Sequence, residues 1–238
     1  MKMKSWPVIA TLICSMFFFS CHKVKEKEKA LTSQQIDSLS MDVVYFSRRN
    51  LDFSPDIISE CIAKGANPNA VDTNGTPAIV YASQSTRDVR IDLVKVLIEN
   101  GADINAANRQ GETAIKYFCM YSDSACIDFA LANNVDVTVV DSFGYTPLLL
   151  LTMQVSAYND YTGEKGSKKH RRLFYDTDLA LIVSEDYNLP YIKEFLKRGA
   201  DPHHKSKDGE SAYSIAREYD LNLIREAIEQ HLQKDNKQ

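Results

Sequence analysis

The sequence predicts an all-α solenoid of antiparallel helix pairs joined by short β-hairpin fingers. Two recurring signals carry that prediction. A helix stop returns four times: Gly65-Ala66-Asn67-Pro68-Asn69, Gly101-Ala102-Asp103-Ile104-Asn105, Asn134-Val135-Asp136-Val137 and Gly199-Ala200-Asp201-Pro202. A turn and a helix start follow each stop in a constant frame. The first three stops are 36 and 33 residues apart, and the fourth follows after 65, one short of two 33-residue steps. A fixed period of this length marks stacked units, each of which buries its apolar face against the next.

Each stop has a local cause. Leu97 and Ile98 end an amphipathic pattern, and Gly101 then supplies the left-handed residue that terminates a helix. Asn134 takes that position in the third stop, since asparagine also visits this conformation at modest cost. The starts are Asp72-Thr73-Asn74-Gly75-Thr76-Pro77, Asn108-Arg109-Gln110-Gly111-Glu112-Thr113-Ala114, Asp141-Ser142-Phe143-Gly144-Tyr145-Thr146-Pro147-Leu148 and Asp208-Gly209-Glu210-Ser211-Ala212. Asn-Gly and Asp-Gly, as at Asn74-Gly75 and Asp208-Gly209, suit tight turns. Thr or Ser then caps a helix, with Pro at its first position in two of the four starts.

Over roughly residues 36–232 these motifs resemble the ankyrin repeat, with its Gly-x-Thr-Pro-Leu start, two short antiparallel helices, Gly-Ala-Asp-x-Asn stop and hairpin finger. The resemblance implies a protein-binding surface made of fingers and first helices. One departure stands out: the histidine that often follows Thr-Pro-Leu is replaced, by this alignment, with Ile79, Lys116, Leu149 and Ser214.

Residues 1–20 read as a secretory signal, with Lys2 and Lys4 ahead of an apolar run from Trp6 to Phe19. The run is short for a membrane span, which needs about 20 residues. Its end, Phe18-Phe19-Ser20-Cys21, resembles a bacterial lipoprotein signal, which implies cleavage before Cys21 and lipidation of that residue. Phe18 and the bulky Phe19 depart from the usual pattern. Residues 21–32 are then a lipidated cysteine and a Lys/Glu-rich tether too polar to fold alone.

The repeat domain is expected over 33–232, with about five to six helix pairs. Ser33 opens a cap-like first pair, whose second helix begins at Ser54-Pro55-Asp56. Val71–Ala106 forms the second unit, with a long helix-to-helix link from Ser83 to Arg90, and Ala107–Val139 the third. Val140 begins a fourth, after which the pattern breaks into an irregular basic loop over 154–177. Two readings fit 140–204: two repeats, the earlier with an eroded second helix, or one repeat with an insertion. The near-doubled period favours the first. Lys205–Leu232 closes the array, and 233–238 is a polar tail.

Composition narrows the function. A net charge of −4 argues against a nucleic-acid surface, which should be basic. None of the five cysteines has metal-ligand spacing; Cys119 and Cys126 fall on apolar repeat positions and read as buried thiols, with a disulfide as the other possibility. The histidines are scattered, and His203-His204 reads as an exposed pair on a hairpin arm rather than a metal site. The recurring aspartates have a structural explanation, because Asp stabilises turns through its own carboxylate. No catalytic residues, metal or cofactor are expected.

What remains is a surface. The candidate partner-binding residues are Asn74, Arg109, Phe143 and Tyr145 at the finger tips, and Lys168, Lys169, Arg171 and Arg172 in the basic loop. The expectation is an exported module, anchored to a membrane through Cys21 in a bacterial envelope, that binds another protein and performs no chemistry. Within that reading, an immunity or inhibitor protein that neutralises a toxin or envelope enzyme is one alternative. A ligand-binding or catalytic site in 154–188, with Asp160, His170 or Asp176 converging, is an alternative of another class, and a passive envelope component is a third.

Overall fold

The computed structural model describes residues 31–49, 54–162 and 184–235. The chain divides into Met1–Thr32 and Ser33–Gln238. Cys21, the signal and nearly all of the tether fall outside the described residues, as do Lys168, Lys169, Arg171 and Arg172.

The described residues of the second unit are helical, with no strand among them. Its helices are α1 (Ser33–Arg49), α2 (Ser54–Ala63), α3 (Ala78–Ser83), α4 (Arg87–Glu99), α5 (Ala114–Met120), α6 (Ser124–Ala132), α7 (Pro147–Thr162), α8 (Glu185–Lys197), α9 (Ala212–Glu218) and α10 (Asn222–Asp235). They pack as five successive pairs. The first helices also follow one another, α1 on α3, α3 on α5, α5 on α7 and α7 on α9, while α2 packs on α4, α4 on α6 and α8 on α10. The apolar side chains form one continuous core along this row, with Phe118, Phe195, Leu93, Ile115 and Leu149 fully buried.

The stops form as expected. Gly65, Gly101, Asn134 and Gly199 all have positive φ. One residue later a backbone N–H reaches back across the final turn: Ala66 to Cys61 O, Ala102 to Leu97 O, Val135 to Ala130 O and Ala200 to Phe195 O. That bond satisfies a carbonyl that the helix end would leave orphaned. Ser122 (φ 46°) and Asp220 (φ 54°) end the first helices of the third and fifth pairs in the same way. Neither is glycine, and their stops escaped the sequence reading.

Several expectations need correction. Among the described residues the fingers hold no β-strand, only an isolated bridge between Val71 and Pro77. The reason lies in the turns. Asp72 Oδ1 accepts from the N–H of Asn74 and Thr76, Asn108 Oδ1 from Gln110 and Glu112, and Asp141 Oδ1 from Phe143 and Tyr145. Amides committed to a side chain cannot continue a ladder.

The second correction concerns the starts. Backbone bonds from Asp72, Asn108, Asp141 and Ser206 to the carbonyl four residues on set a common frame. In it Pro77, not Thr76, aligns with Thr113, Thr146 and Ser211, so Val80 rather than Ile79 holds the position of Lys116. Thr146 caps through Leu149 N and Ser211 through Ser214 N, whereas the Thr113 hydroxyl is buried without a partner. Finally, the link after Ser83 is short, since α4 starts at Arg87. Arg90 lies inside α4 and donates from Nε and Nη2 to Ser85 O, which closes the link.

The 140–204 span contributes one pair among the described residues. Helix α7 continues to Thr162, so 154–162 is helix rather than loop. It packs directly against both α5 and α9. Among the described residues this span therefore supplies one first helix and one second helix, and the choice between the two readings of 140–204 falls on residues outside them. Asn188 of α8 donates to Leu151 O of α7 and to Ser122 Oγ, and Arg198 Nη2 reaches Leu131 O at the end of α6.

Candidate interaction surface

The turns at the starts of the pairs stack tip to tip, and their own residues hold them in register. Arg109 lays its side chain beside Gly75 and points Nη2 at Thr73 O, 3.5 Å away. Ser142 N donates to Gln110 O at 2.7 Å, and Lys207 N to Phe143 O at 2.9 Å. Gly144 (φ +83°) permits the last step, because a Cβ there would stand 2.9 Å from Ser206 Cα.

A second rail runs along the stops. Asn69 donates Nδ2 to Gly101 O and accepts from Asp103 N, at 2.9 and 2.7 Å. Asn105, in the same frame, donates to Asn134 O and accepts from Asp136 N, at 3.4 and 2.8 Å. The corresponding residue in the next unit is Thr138, which bonds within its own turn to Asp136 instead.

The structure places the predicted site residues in two groups. Asn74, Arg109, Phe143 and Tyr145 all lie on the row of turns, but in different settings. Asn74 and Arg109 are exposed on adjacent turns. Phe143 is 51% exposed, with Lys207 Nζ 5.9 Å from its ring centre. Tyr145 is half-buried against the core and donates its hydroxyl to Asp208 Oδ2 at 3.0 Å. Burial, with the adjacent Asp208, pushes its phenol up to about 12. Tyr145 thus packs into the neighbouring turn, and Phe143 is the more exposed aromatic of the two. The basic-loop residues Lys168, Lys169, Arg171 and Arg172 lie outside the described residues, as do His170 and Asp176 and the side chain of Asp160.

Behind the turns lies a polar network. Lys116 donates to Glu112 Oε1 and Asp141 Oδ2, both at 2.6 Å, and Glu112 Oε2 accepts from Asn108 and Tyr117. Burial alone would raise the Glu112 carboxyl, but the Lys116, Asn108 and Tyr117 hydrogen bonds outweigh it and hold the group below its usual range. In the second unit, burial would likewise raise Asp72, and the N–H of Thr76, the Tyr81 hydroxyl and the N–H of Asn74 bring it down. These carboxylates are held as anions by structural contacts. Their role as bridges between turn and helix escaped the sequence reading; the cue was a lysine at a position where the family often places a hydrogen-bonding histidine. Cys61, Cys119 and Cys126 are buried free thiols. No group of three or more metal-ligating side chains occurs among the described residues, and His203 sits edge-on to Tyr213.

Residues 87–131 match the family model for ankyrin repeats (many copies). The match supports an ankyrin-repeat protein. It begins at the start of α4 and ends within α6, and so takes in the Gly101 stop, the Asn108–Thr113 turn and both helices of the third pair. Ankyrin repeats suggest binding to another protein, and the family is typically non-catalytic. No curated protein matches the chain.

Proposed function

We propose that this chain is an ankyrin solenoid that binds a protein partner through its turn tips and first helices, and that Cys21 anchors it by lipid to a bacterial envelope membrane. The observation that carries the reading is the ankyrin match over 87–131. The row of turns supports it further. Residues that close the fold, such as Asp72, Asn108 and Asp141, point their carboxyl or amide groups into the turns, while Asn74, Arg109 and Phe143 stand outward. An aromatic half exposed on an ordered turn is a good anchor for an interface, since its burial costs little conformational freedom. Export and anchoring rest on the Lys2–Cys21 pattern alone. Among the described residues no helix is long and apolar enough to cross a membrane.

The test is affinity capture from envelope extract with the full chain, beside Phe143→Ala and Arg109→Glu. A protein retained by the native chain and lost from these variants supports the reading and places the site. Capture of no protein, with the chain folded, overturns it. Anchoring has its own test: Cys21→Ser should move the protein from the membrane fraction to the soluble one, and an unchanged distribution would remove the lipid anchor.

A further inference from the structure

On the last pair, an open groove of about 470 Å³ is lined by His203, Lys205, Tyr213, Ser214, Arg217 and Glu218. We propose that this groove binds a carboxylate-rich segment of the partner protein. The inference rests on the protein-binding reading above and names the chemistry of one part of that surface.

The argument begins with charge. The chain as a whole carries −4, yet the groove lining sets the exposed cations Lys205 and Arg217 beside the carboxylate of Glu218, with Glu229 beneath the Tyr213 ring. Exposed cations on an otherwise acidic chain select an anionic ligand by charge and steer its approach. Shape is the second point. Tyr213 forms an ordered aromatic wall: His203 packs edge-on against its ring at 5.0 Å, and the Arg217 guanidinium lies 5.9 Å from its centre. The Tyr213 hydroxyl donates to Glu229 Oε1, which fixes the ring from below. Arg217 is thereby held beside the ring with its fork of donors free to meet a carboxylate in two-point geometry. The exposed Ser214 adds a neutral side chain to the lining. An open trough with an aromatic wall and cationic rim suits an extended acidic peptide better than a compact ion.

Fluorescence anisotropy of a labelled polyglutamate peptide, with the full chain at low salt, tests this directly. Binding is expected, and it should weaken as salt rises, because exposed charges are screened. Lys205→Gln and Arg217→Gln should each weaken binding by about tenfold, the scale of one charged hydrogen bond. Glu218→Gln should tighten it, an effect that simple damage to the fold would not produce. Lys95→Gln, which removes an exposed cation on α4 outside the groove lining, is the control and should leave peptide binding unchanged. Absence of peptide binding overturns the proposal, as does binding that the three groove variants leave unaltered. If inorganic phosphate competes the peptide away at comparable concentration, the site is a generic anion site and the peptide assignment fails. The two readings separate cleanly. Partner capture that persists in the Lys205 and Arg217 variants removes the groove and leaves the protein-binding function. Peptide binding without any captured protein keeps the groove and removes that function.

Discussion

Lys116 Nζ stands 2.6 Å from Asp141 Oδ2 and so ties the third helix pair to the turn that opens the fourth. The same ammonium also meets Glu112 in its own unit. The Asp141 side chain is 2% exposed and that of Lys116 13%, so the pair is shielded from water. Removing one partner leaves a buried carboxylate uncompensated. Asp141 keeps its two backbone donors in that case, which softens the loss. Lys116→Met is therefore expected to destabilise the fold by about 2–3 kcal/mol, a little under the usual range for a broken buried pair. Urea unfolding followed by circular dichroism measures it.

The same network sets a pH response. The Glu112 carboxyl is depressed below its ordinary 4.5 in the folded chain. A group lowered on folding contributes stability above its unfolded value and loses it as pH falls through the folded one. The stability gap between the native chain and Glu112→Gln should thus be constant above about pH 5.5. It should close as pH falls below 4.5. A gap that stays constant down to pH 3 would contradict the assignment.

Gly144 and Gly209 allow a controlled comparison. Their φ angles are +83° and +84°, so alanine pays the same backbone strain at both, about 1 kcal/mol. A Cβ at Gly209 meets nothing within 4 Å, whereas one at Gly144 meets Ser206 Cα at 2.9 Å and Lys205 O and Lys207 N at 3.2 Å. Gly144→Ala should therefore cost clearly more than Gly209→Ala. Equal thermal shifts for the two variants would mean that the turns do not stack as described.

The asparagine rail predicts unequal effects at equivalent positions. Asn69→Ala and Asn105→Ala each remove two hydrogen bonds to the next stop and should cost about 1 kcal/mol, since the sites are exposed or half-exposed. Thr138→Ala touches no neighbouring stop in this way and should cost less. Hydrogen exchange at Asp103 N and Asp136 N, the amides the two asparagines accept, should quicken in the first two variants only.

The buried thiols offer a last check. Cys119 is fully buried and its thiol is raised well above the ordinary 9.0 by burial alone; burial, with Asp42 next, pushes Cys61 up to about 11. Thiolate is the reactive form. Both residues should resist alkylation at pH 8 until the chain is unfolded, and rapid labelling of Cys119 in native buffer would contradict its burial.

The sequence by itself determined the period, the helical class and the position of the four predicted stops. These are local matters: a left-handed residue after an apolar helical run is set by backbone sterics, whatever surrounds it, and Gly65, Gly101, Asn134 and Gly199 adopt positive φ accordingly. The shielding of the fingers from strand pairing was half legible, since Asp72 and Asp141 were recognisable as turn formers. What only the tertiary structure decided were relations between units. Tyr145 and Phe143 look alike as aromatics on one turn, yet Asp208, 63 residues from Tyr145, engages one and leaves the other outward. Lys116 gained its second carboxylate, and Asn69 its carbonyl and amide, from neighbouring repeats. The packing of α7 against both α5 and α9 is likewise a relation between units. Such contacts depend on the rise and rotation from one repeat to the next, and that geometry comes from packing summed over the whole core rather than from any short stretch of residues.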